Sequence, residues 1–316
     1  MGLPVTIYRW DDAGAPQINN AKSVSSVIDI FRKCLVSGYG EKLPLGWSVV
    51  FENTGTFKIA FRNNTTDGSG SYVQIWNTQG TDTAASNLIY QTAQSMSALD
   101  ALIRPGYQTS IFNSGVGPTN NQWILIGTST GFYFAIMNSS ITNYTKCVYS
   151  FFIGDLDSFV SNDQGRFIGS TANADNGPGY NGRNLFASTI SCNPKLYQTD
   201  GSSASTNALN NIALSSITYS ATYTSNDAHE TAGVVLNFAP LSLSITGSVR
   251  DSLNIPVNHS LLQPQQRGVL PGLLISSFVG YKTITFPITR NFFGQDYMLM
   301  PGDSSGANRW INIVEW

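Results

Sequence analysis

The stretch from Trp47 to Ile153 is written in twos. Apolar and polar positions alternate in short runs that break at turn residues, and that period belongs to strands rather than helices. Trp47-Ser-Val-Val-Phe51, Phe57-Lys-Ile-Ala-Phe61 and Tyr72-Val-Gln-Ile-Trp76 read as strands, and the Asn, Thr, Gly and Ser of 63–70 read as a hairpin loop. Trp123-Ile-Leu-Ile126 and Phe132-Tyr-Phe-Ala-Ile-Met137 flank Gly127-Thr-Ser-Thr-Gly131, the strongest hairpin signal in the chain. Val148 to Ile153 adds a strand closed by Gly154. The segment from Asn87 to Ile103 stays open, since its Leu88, Met96, Leu99 and Leu102 suit either a short helix or strands.

Before this region the period is different. A strand is expected over Val5 to Trp10, ending in the loop Asp11-Asp12-Ala13-Gly14-Ala15-Pro16. Val24, Val27, Ile28, Phe31 and Leu35 then recur at spacings of three and four, one apolar stripe along a helix. Asn20 or Ser23 can cap its start and Gly38 can stop it. After the alternating region, Asn, Ser, Thr, Gly and Ala dominate 170–230, which reads as long surface loops inserted in the fold. Short strands resume at Val234–Phe238, Leu241–Ile245, Leu273–Phe278 and Ile284–Ile288. A terminal strand over Trp310–Trp316 is expected to be paired, because its apolar face would otherwise lie open. The expected fold is mainly β: an antiparallel β-sandwich or barrel-like body with one short N-terminal α-helix and long polar loops. Its division is an arm, helix and β-domain over 1–169, the polar insertion over 170–230, and a C-terminal β-segment over 231–316 packing on the same body.

Charge narrows the function. Asp, Glu, Lys and Arg make up only 11% of the chain, against roughly 25% in ordinary globular domains. A surface of neutral hydrogen-bonding groups suits a subunit that lives packed against others, since interface cores are depleted of charge. The net charge is −2 and the 17 basic residues are scattered, with no run longer than Arg32-Lys33. Nucleic-acid binding, which draws on clustered basic residues, is therefore not expected. Cys34, Cys147 and Cys192 lie too far apart in an odd set to suggest a disulfide framework. No secretory leader and no apolar stretch approaching the ~18 residues of a membrane helix can be read, so no membrane partner is expected.

Few residues offer chemistry. The two histidines, His229 and His259, sit in polar stretches with no partner spacing for a zinc site or a triad. No nucleophile elbow, phosphate loop or dinucleotide fingerprint occurs. Asp155 and Asp157 would point to one side of a strand or turn, as paired carboxylates do in glycoside hydrolysis or calcium binding. Asp11 and Asp12 are adjacent and would point apart. For both pairs, turn capping by Asp is the plainer account. Trp76, Trp123, Tyr133, Phe134, Phe151 and Phe152 could form a sugar-stacking platform, although a sheet buries such side chains efficiently and core is the expected place for most of them. No catalytic, cofactor or metal residue is assigned, and no cofactor is expected.

Several phrases together resemble a family. Ile7-Tyr8-Arg9-Trp10-Asp11-Asp12-Ala13-Gly14-Ala15-Pro16 is similar to the opening of tailed-bacteriophage virion structural proteins, which begin with an aromatic-Arg pair, an acidic residue and an Ala-Pro step. Cys34-Leu35-Val36-Ser37-Gly38-Tyr39-Gly40, Gly46-Trp47, Phe57-Lys-Ile-Ala-Phe-Arg62, Phe152-Ile-Gly-Asp155 and Gln266-Arg267-Gly268-Val269-Leu270-Pro271-Gly272-Leu273 continue the likeness. The chain departs from it at Gly127-Thr-Ser-Thr-Gly131, where the family often carries an acidic and a basic residue, and the insertion at 170–230 has no counterpart. The resemblance implies a non-enzymatic virion component, on the head, neck or tail, that partners copies of itself and capsid, neck or tail subunits. It would be assembled in the cytoplasm of a bacterial host. Residues 1–20 are expected to reach a neighbour as an arm or edge strand. The alternatives are a receptor- or glycan-binding adhesin and, further off, a glycan-depolymerising enzyme centred on Asp155 and Asp157.

Overall fold

A computed structural model describes residues 2–18, 23–82, 88–111, 121–137, 147–170, 185–186, 194–202, 204–205, 238–244, 253, 262, 264–276, 286–300 and 309–316. Most of the polar insertion, both histidines, Asn20 and Cys192 fall outside them.

The elements run β1 (Thr6–Arg9), α1 (Val24–Arg32), β2 (Ser48–Asn53), β3 (Lys58–Arg62), β4 (Tyr72–Asn77), β5 (Leu88–Ala98), β6 (Ala101–Pro105) and β7 (Thr109–Ser110). Next come β8 (Gln122–Gly127), β9 (Gly131–Met137), β10 (Cys147–Asp155), β11 (Asp157–Ser158), β12 (Phe167–Gly169), β13 (Leu196–Tyr197) and β14 (Ala204–Ser205). The last are β15 (Phe238–Ser244), β16 (Gln266–Ser276), β17 (Ile288–Phe292), β18 (Gln295–Met300) and β19 (Arg309–Asn312).

The chain is mainly β, and its large sheets are all antiparallel. A central sheet is ordered β1-β8-β9-β10-β12. A second runs β2-β3-β4-β5-β6 with β7 beside β5, and a third runs β11-β16-β19-β18-β17 with β15 beside β16. Among the described residues no sheet closes into a barrel, so the sandwich half of the expectation is the one realised.

The central sheet has no wet face. Every residue of β9 is buried, and alternate residues feed different cores. Trp123, Leu125, Phe132, Phe134, Phe151 and Ile153 join a core completed by α1 and the second sheet. Ile124, Ile126, Tyr133, Ala135, Met137 and Phe152 join another, completed by Leu243, Leu273, Ile275 and Met300 of the third. Antiparallel sheets usually solvate one side. Here the near-continuous apolar runs of β8, β9 and β10 are explained by burial on both.

Helix α1 forms where its stripe placed it. Ser23 caps it by accepting from the Ser26 amide at 3.3 Å, and Val24, Val27, Ile28 and Phe31 are buried. A wider π-type turn carries it on over Lys33–Ser37, burying Cys34 and Leu35, and Gly38 ends it at φ 75°. The Gly38 conformation is enforced by crowding as well. A Cβ there would lie 2.5 Å from the Lys42 carbonyl oxygen.

The open segment after Asn87 is a hairpin, β5 and β6, turning at Leu99-Asp100. Asp100 takes the left-handed φ of 66° that a two-residue turn needs, and Lys58 and Gln74 hold its carboxylate and amide. A strand expected to end at Ile288 instead begins there. The fold is set by the turn Phe293-Gly294, φ 55° and 80°, which zips β17 onto β18.

The first twenty residues do not extend as an arm, as far as they are described. β1 pairs with β8 throughout, Tyr8 is fully buried, and the Trp123 indole donates to the Pro16 carbonyl at 3.0 Å. Leu3 and Trp316 exchange backbone hydrogen bonds of 3.0 and 3.1 Å, so the two ends of the chain pair with each other. The apolar side chains of this segment find their partners within the same chain, and β1 is the outer strand of the central sheet, the edge-strand form of the expectation rather than the arm.

Candidate functional site

The Asp155/Asp157 pair lies where the three sheets meet. β10 ends at Asp155, and Leu156 turns inward, 3% exposed, with its amide bonded to the Arg166 carbonyl at 3.0 Å. With the middle residue anchored in the core, both aspartates face one cleft of about 450 Å³. Asp67, Asn162, Arg166 and Trp316 share its wall.

Asp155 sits at the floor, 6% exposed. Its Oδ2 accepts from the Ser69 amide at 2.7 Å and lies 3.2 Å from Arg166 Nε, while its Oδ1 has no partner among the described residues. Burial pushes its pKa up, against the opposing pull of Ser69 and Arg166. Asp157 is shifted the same way by loss of water around its carboxyl, although its residue as a whole is exposed.

The wall opposite is stitched from two turns. Ser129 donates to Asp67 at 2.7 Å, the Asn64 amide donates to the Ser129 carbonyl at 3.1 Å, and Asn63 Nδ2 reaches the Thr130 carbonyl at 3.2 Å. Gly127-Thr-Ser-Thr-Gly131, where the family resemblance fails, is thus part of this wall through Thr130.

A second cleft of about 470 Å³ adjoins the first and shares Asn162 and Arg166 with it. Ser69, Gln94, Arg104 and Gln164 line its far side. The dividing loop, residues 158–166, hangs on one buried ion pair. Arg267, 1% exposed on β16, donates to Asp163 through Nε at 2.5 Å and Nη2 at 2.6 Å. The Ser158 hydroxyl and the Gly165 amide complete the carboxylate at 2.7 and 2.9 Å. No spacing rule flagged Asp163, since its partner lies 104 residues away.

The other candidates resolve into scaffold. Asp12 accepts from the Arg9 amide and the Tyr39 hydroxyl, each at 2.8 Å, which is turn capping. Asp11 pairs with Arg9 at 2.6 Å. Trp123, Tyr133, Phe134, Phe151 and Phe152 are core, and Trp76 is half-buried on β4. His229 and His259 lie outside the described residues. Among the described residues no three His, Cys, Asp or Glu side chains are grouped to hold a metal ion. Nor is any helix there long and apolar enough to cross a membrane.

The raised pKa of Asp155 has a testable sign. A carboxyl that binds its proton more tightly folded than unfolded contributes stability below the ordinary value of 3.8, and that stability is lost as pH rises through the folded value. Asp155→Asn is therefore expected to flatten the fall in stability above that pH relative to the parent. Urea midpoints at a series of pH values check this, and parallel profiles for the two proteins would refute it.

No family model matches the chain, and no curated protein matches it.

Proposed function

We propose that the chain is a non-enzymatic structural component of a tailed-phage virion, acting by packing against neighbouring subunits. The observation that carries this reading is what the family-like phrases do with their chemistry: they spend it on the fold. Tyr8 donates to the Leu43 carbonyl at 2.5 Å, Tyr39 to Asp12, and Trp123 to the Pro16 carbonyl. Arg267 is consumed by Asp163, and the Pro271 carbonyl accepts the Tyr133 hydroxyl at 2.7 Å. Gly40 and Gly268 sit where a Cβ would lie 2.5 Å from the Ala13 oxygen and 2.4 Å from the Asp157 oxygen. Motifs with such roles preserve a shape.

That shape leaves edges for docking. β2 and β6 are the outer strands of the second sheet, with Val50 and Ile103 exposed, and unpaired strand edges are natural sites of subunit contact. Phe159 and Phe293 stand 58% and 77% exposed on loops. The low charge of the chain agrees with wide interfaces.

Quantitative mass spectrometry of gradient-purified particles, referenced to the major capsid protein, tests the proposal. A fixed copy number matching a ring, a tail or a lattice is the expected result. Absence from particles refutes it. The alternative, a receptor- or glycan-binding module, finds its favouring observation in the paired clefts rather than in the expected sheet platform, of which Trp123, Tyr133, Phe134, Phe151 and Phe152 are buried and Trp76 is half-buried.

A further inference from the structure

We propose that the second cleft, between β5, β6 and the loop of residues 158–166, binds a phosphate group, a property separate from assembly of the particle. Its charge is the first observation. The described lining residues include two arginines, Arg104 and Arg166, and one carboxylate, Asp163. That carboxylate is spent inside the protein. Its Oδ2 accepts from Arg267 Nε and Ser158, its Oδ1 from Arg267 Nη2 and the Gly165 amide, and its side chain is 0% exposed. Arg166 shares its charge with Asp155, 3.2 Å from its Nε. Arg104 makes no ion pair among the described residues. Asp200 feels its charge, but Asp200 is exposed and accepts from the Ser202 amide at 2.8 Å, so water screens the two. The charge of Arg104 is left over.

The second observation is a surplus of donors. Arg104 Nη1 donates to Gln94 Oε1 at 3.1 Å, and Gln94 Nε2 donates to the Gln164 carbonyl at 2.9 Å. These bonds hold the guanidinium against two other residues of the lining, with its remaining donors unused among the described residues. Arg166 is anchored in a similar way, since the Asp155 oxygen beside its Nε accepts from the amide of Ser69, another lining residue, at 2.7 Å. The side chains of Ser95 and Gln164 make no hydrogen bond among the described residues either. Such a lining calls for a ligand made of acceptors. Guanidinium forks match oxyanions, and a phosphate offers them more oxygens and more charge than a carboxylate does. An amine would bring donors where acceptors are wanted.

The third is backbone strain. Among the described residues, Phe57, Asp100, Arg104, Asn162 and Phe293 are the non-glycine positions with left-handed φ, and two of them line this cleft. Arg104 holds φ at 51° and Asn162 at 56°. Glycine would serve the fold better at such an angle, so an arginine there is accounted for by what its side chain does. The cleft of about 470 Å³ lies within the ~300–1,000 Å³ of small-molecule sites, leaving room for a polar carrier of the phosphate.

Isothermal titration calorimetry of the full chain, in phosphate-free buffer at low salt, tests this with inorganic phosphate, glucose-6-phosphate, glucuronate and glucose. Saturable binding of a phosphate probe is expected, on the order of tenfold tighter than glucuronate, with none for glucose. Tighter binding of glucose-6-phosphate than of inorganic phosphate identifies an ester on a sugar as the source, and equal affinity identifies the free ion; either supports the site. Arg104→Gly is expected to weaken binding on the order of tenfold or more, the scale of a lost hydrogen bond between charged groups. Its melting temperature should stay at or above the parental value, because glycine adopts that backbone freely. Gln164→Glu, at an exposed position, sets a carboxylate in the lining and is expected to weaken binding similarly with the fold kept. Overturning results are no binding of either phosphate probe, glucuronate bound as tightly as phosphate, or affinity unchanged in both variants. Incorporation of both variants into particles at parental copy number is the companion result. If binding fails while incorporation holds, the site falls and the structural reading stands; the reverse pattern removes the structural reading alone.

Discussion

Arg267→Ala is expected to remove a large part of the protein's folding stability. The substitution leaves Asp163 with no compensating charge in a place water does not reach, since the two side chains are 1% and 0% exposed. Breaking a buried pair by deleting one partner costs about 3–5 kcal/mol, against a total of about 5–15 kcal/mol for a typical domain. Geometry adds to this. Gly165 is tucked under the guanidinium so closely that a Cβ would lie 2.6 Å from Arg267 Nη2, and the Phe159 amide bonds the Arg267 carbonyl at 2.9 Å. The loop carrying Ser158, Val160, Ser161, Asn162 and Arg166 is pinned at this point. Losing the pin opens the wall common to both clefts. Urea unfolding gives the stability change, and Arg267→Lys is expected to fall between, because an ammonium cannot reproduce the two parallel bonds. The double variant Arg267→Met/Asp163→Leu is expected to regain part of the loss, since removing both charges leaves none buried alone. A single alanine variant with the parental midpoint would show that the pair contributes nothing to folding.

That ion pair also marks the limit of what the sequence discloses. The stripe Val24, Val27, Ile28, Phe31 and Leu35 and the runs in β8, β9 and β10 were legible because period and apolar content are local properties. The reason those three strands are apolar on both faces was not legible. It depends on a third sheet built largely from residues after 238, which covers Ile126, Tyr133 and Phe152. The hairpin at Leu99-Asp100 was ambiguous for a related reason. Its turn carries neither Asn-Gly nor Asp-Gly, and the left-handed Asp100 is stabilised by Lys58 and Gln74 from other strands. At the site, alternation correctly put Asp155 and Asp157 on one side, but Asp67, Arg166 and Trp316 arrive from three other segments. The pairing of Leu3 with Trp316 spans the whole chain and no periodicity announces it.

Gly154→Ala is the second substitution expected to have a large effect, and it ties the fold to the cleft. Gly154 and Gly131 are register partners on β10 and β9, and the two backbones approach until a Cβ on Gly154 would lie 2.3 Å from Gly131 Cα. The same methyl would meet the Thr130 carbonyl oxygen at 2.9 Å and the Phe152 ring at 3.0 Å, and the φ of 155° is one that L side chains rarely adopt. Overpacking costs about 1–3 kcal/mol and an unfavourable backbone conformation a further ~1–3 kcal/mol. Backbone cannot yield as a flexible side chain does, so the strands must part. Their parting strains the bond from the Asp155 amide to the Thr130 carbonyl, 3.1 Å long, and with it the placement of the carboxylate at the cleft floor. Gly131→Ala is the matched control. Its nearest contacts are 3.0 Å, to the Phe152 ring, and 3.1 Å, to Gly154 Cα, so a milder loss is expected there. Urea midpoints should therefore fall in the order parent, Gly131→Ala, Gly154→Ala. Equal midpoints for the two variants would mean that the close approach of these strands is not what requires glycine. In the ordered case, Phe152-Ile-Gly-Asp155 divides its labour: the glycine lets β9 and β10 close under a fully buried Phe152, and that closure holds Asp155 in its buried place at the floor of the cleft.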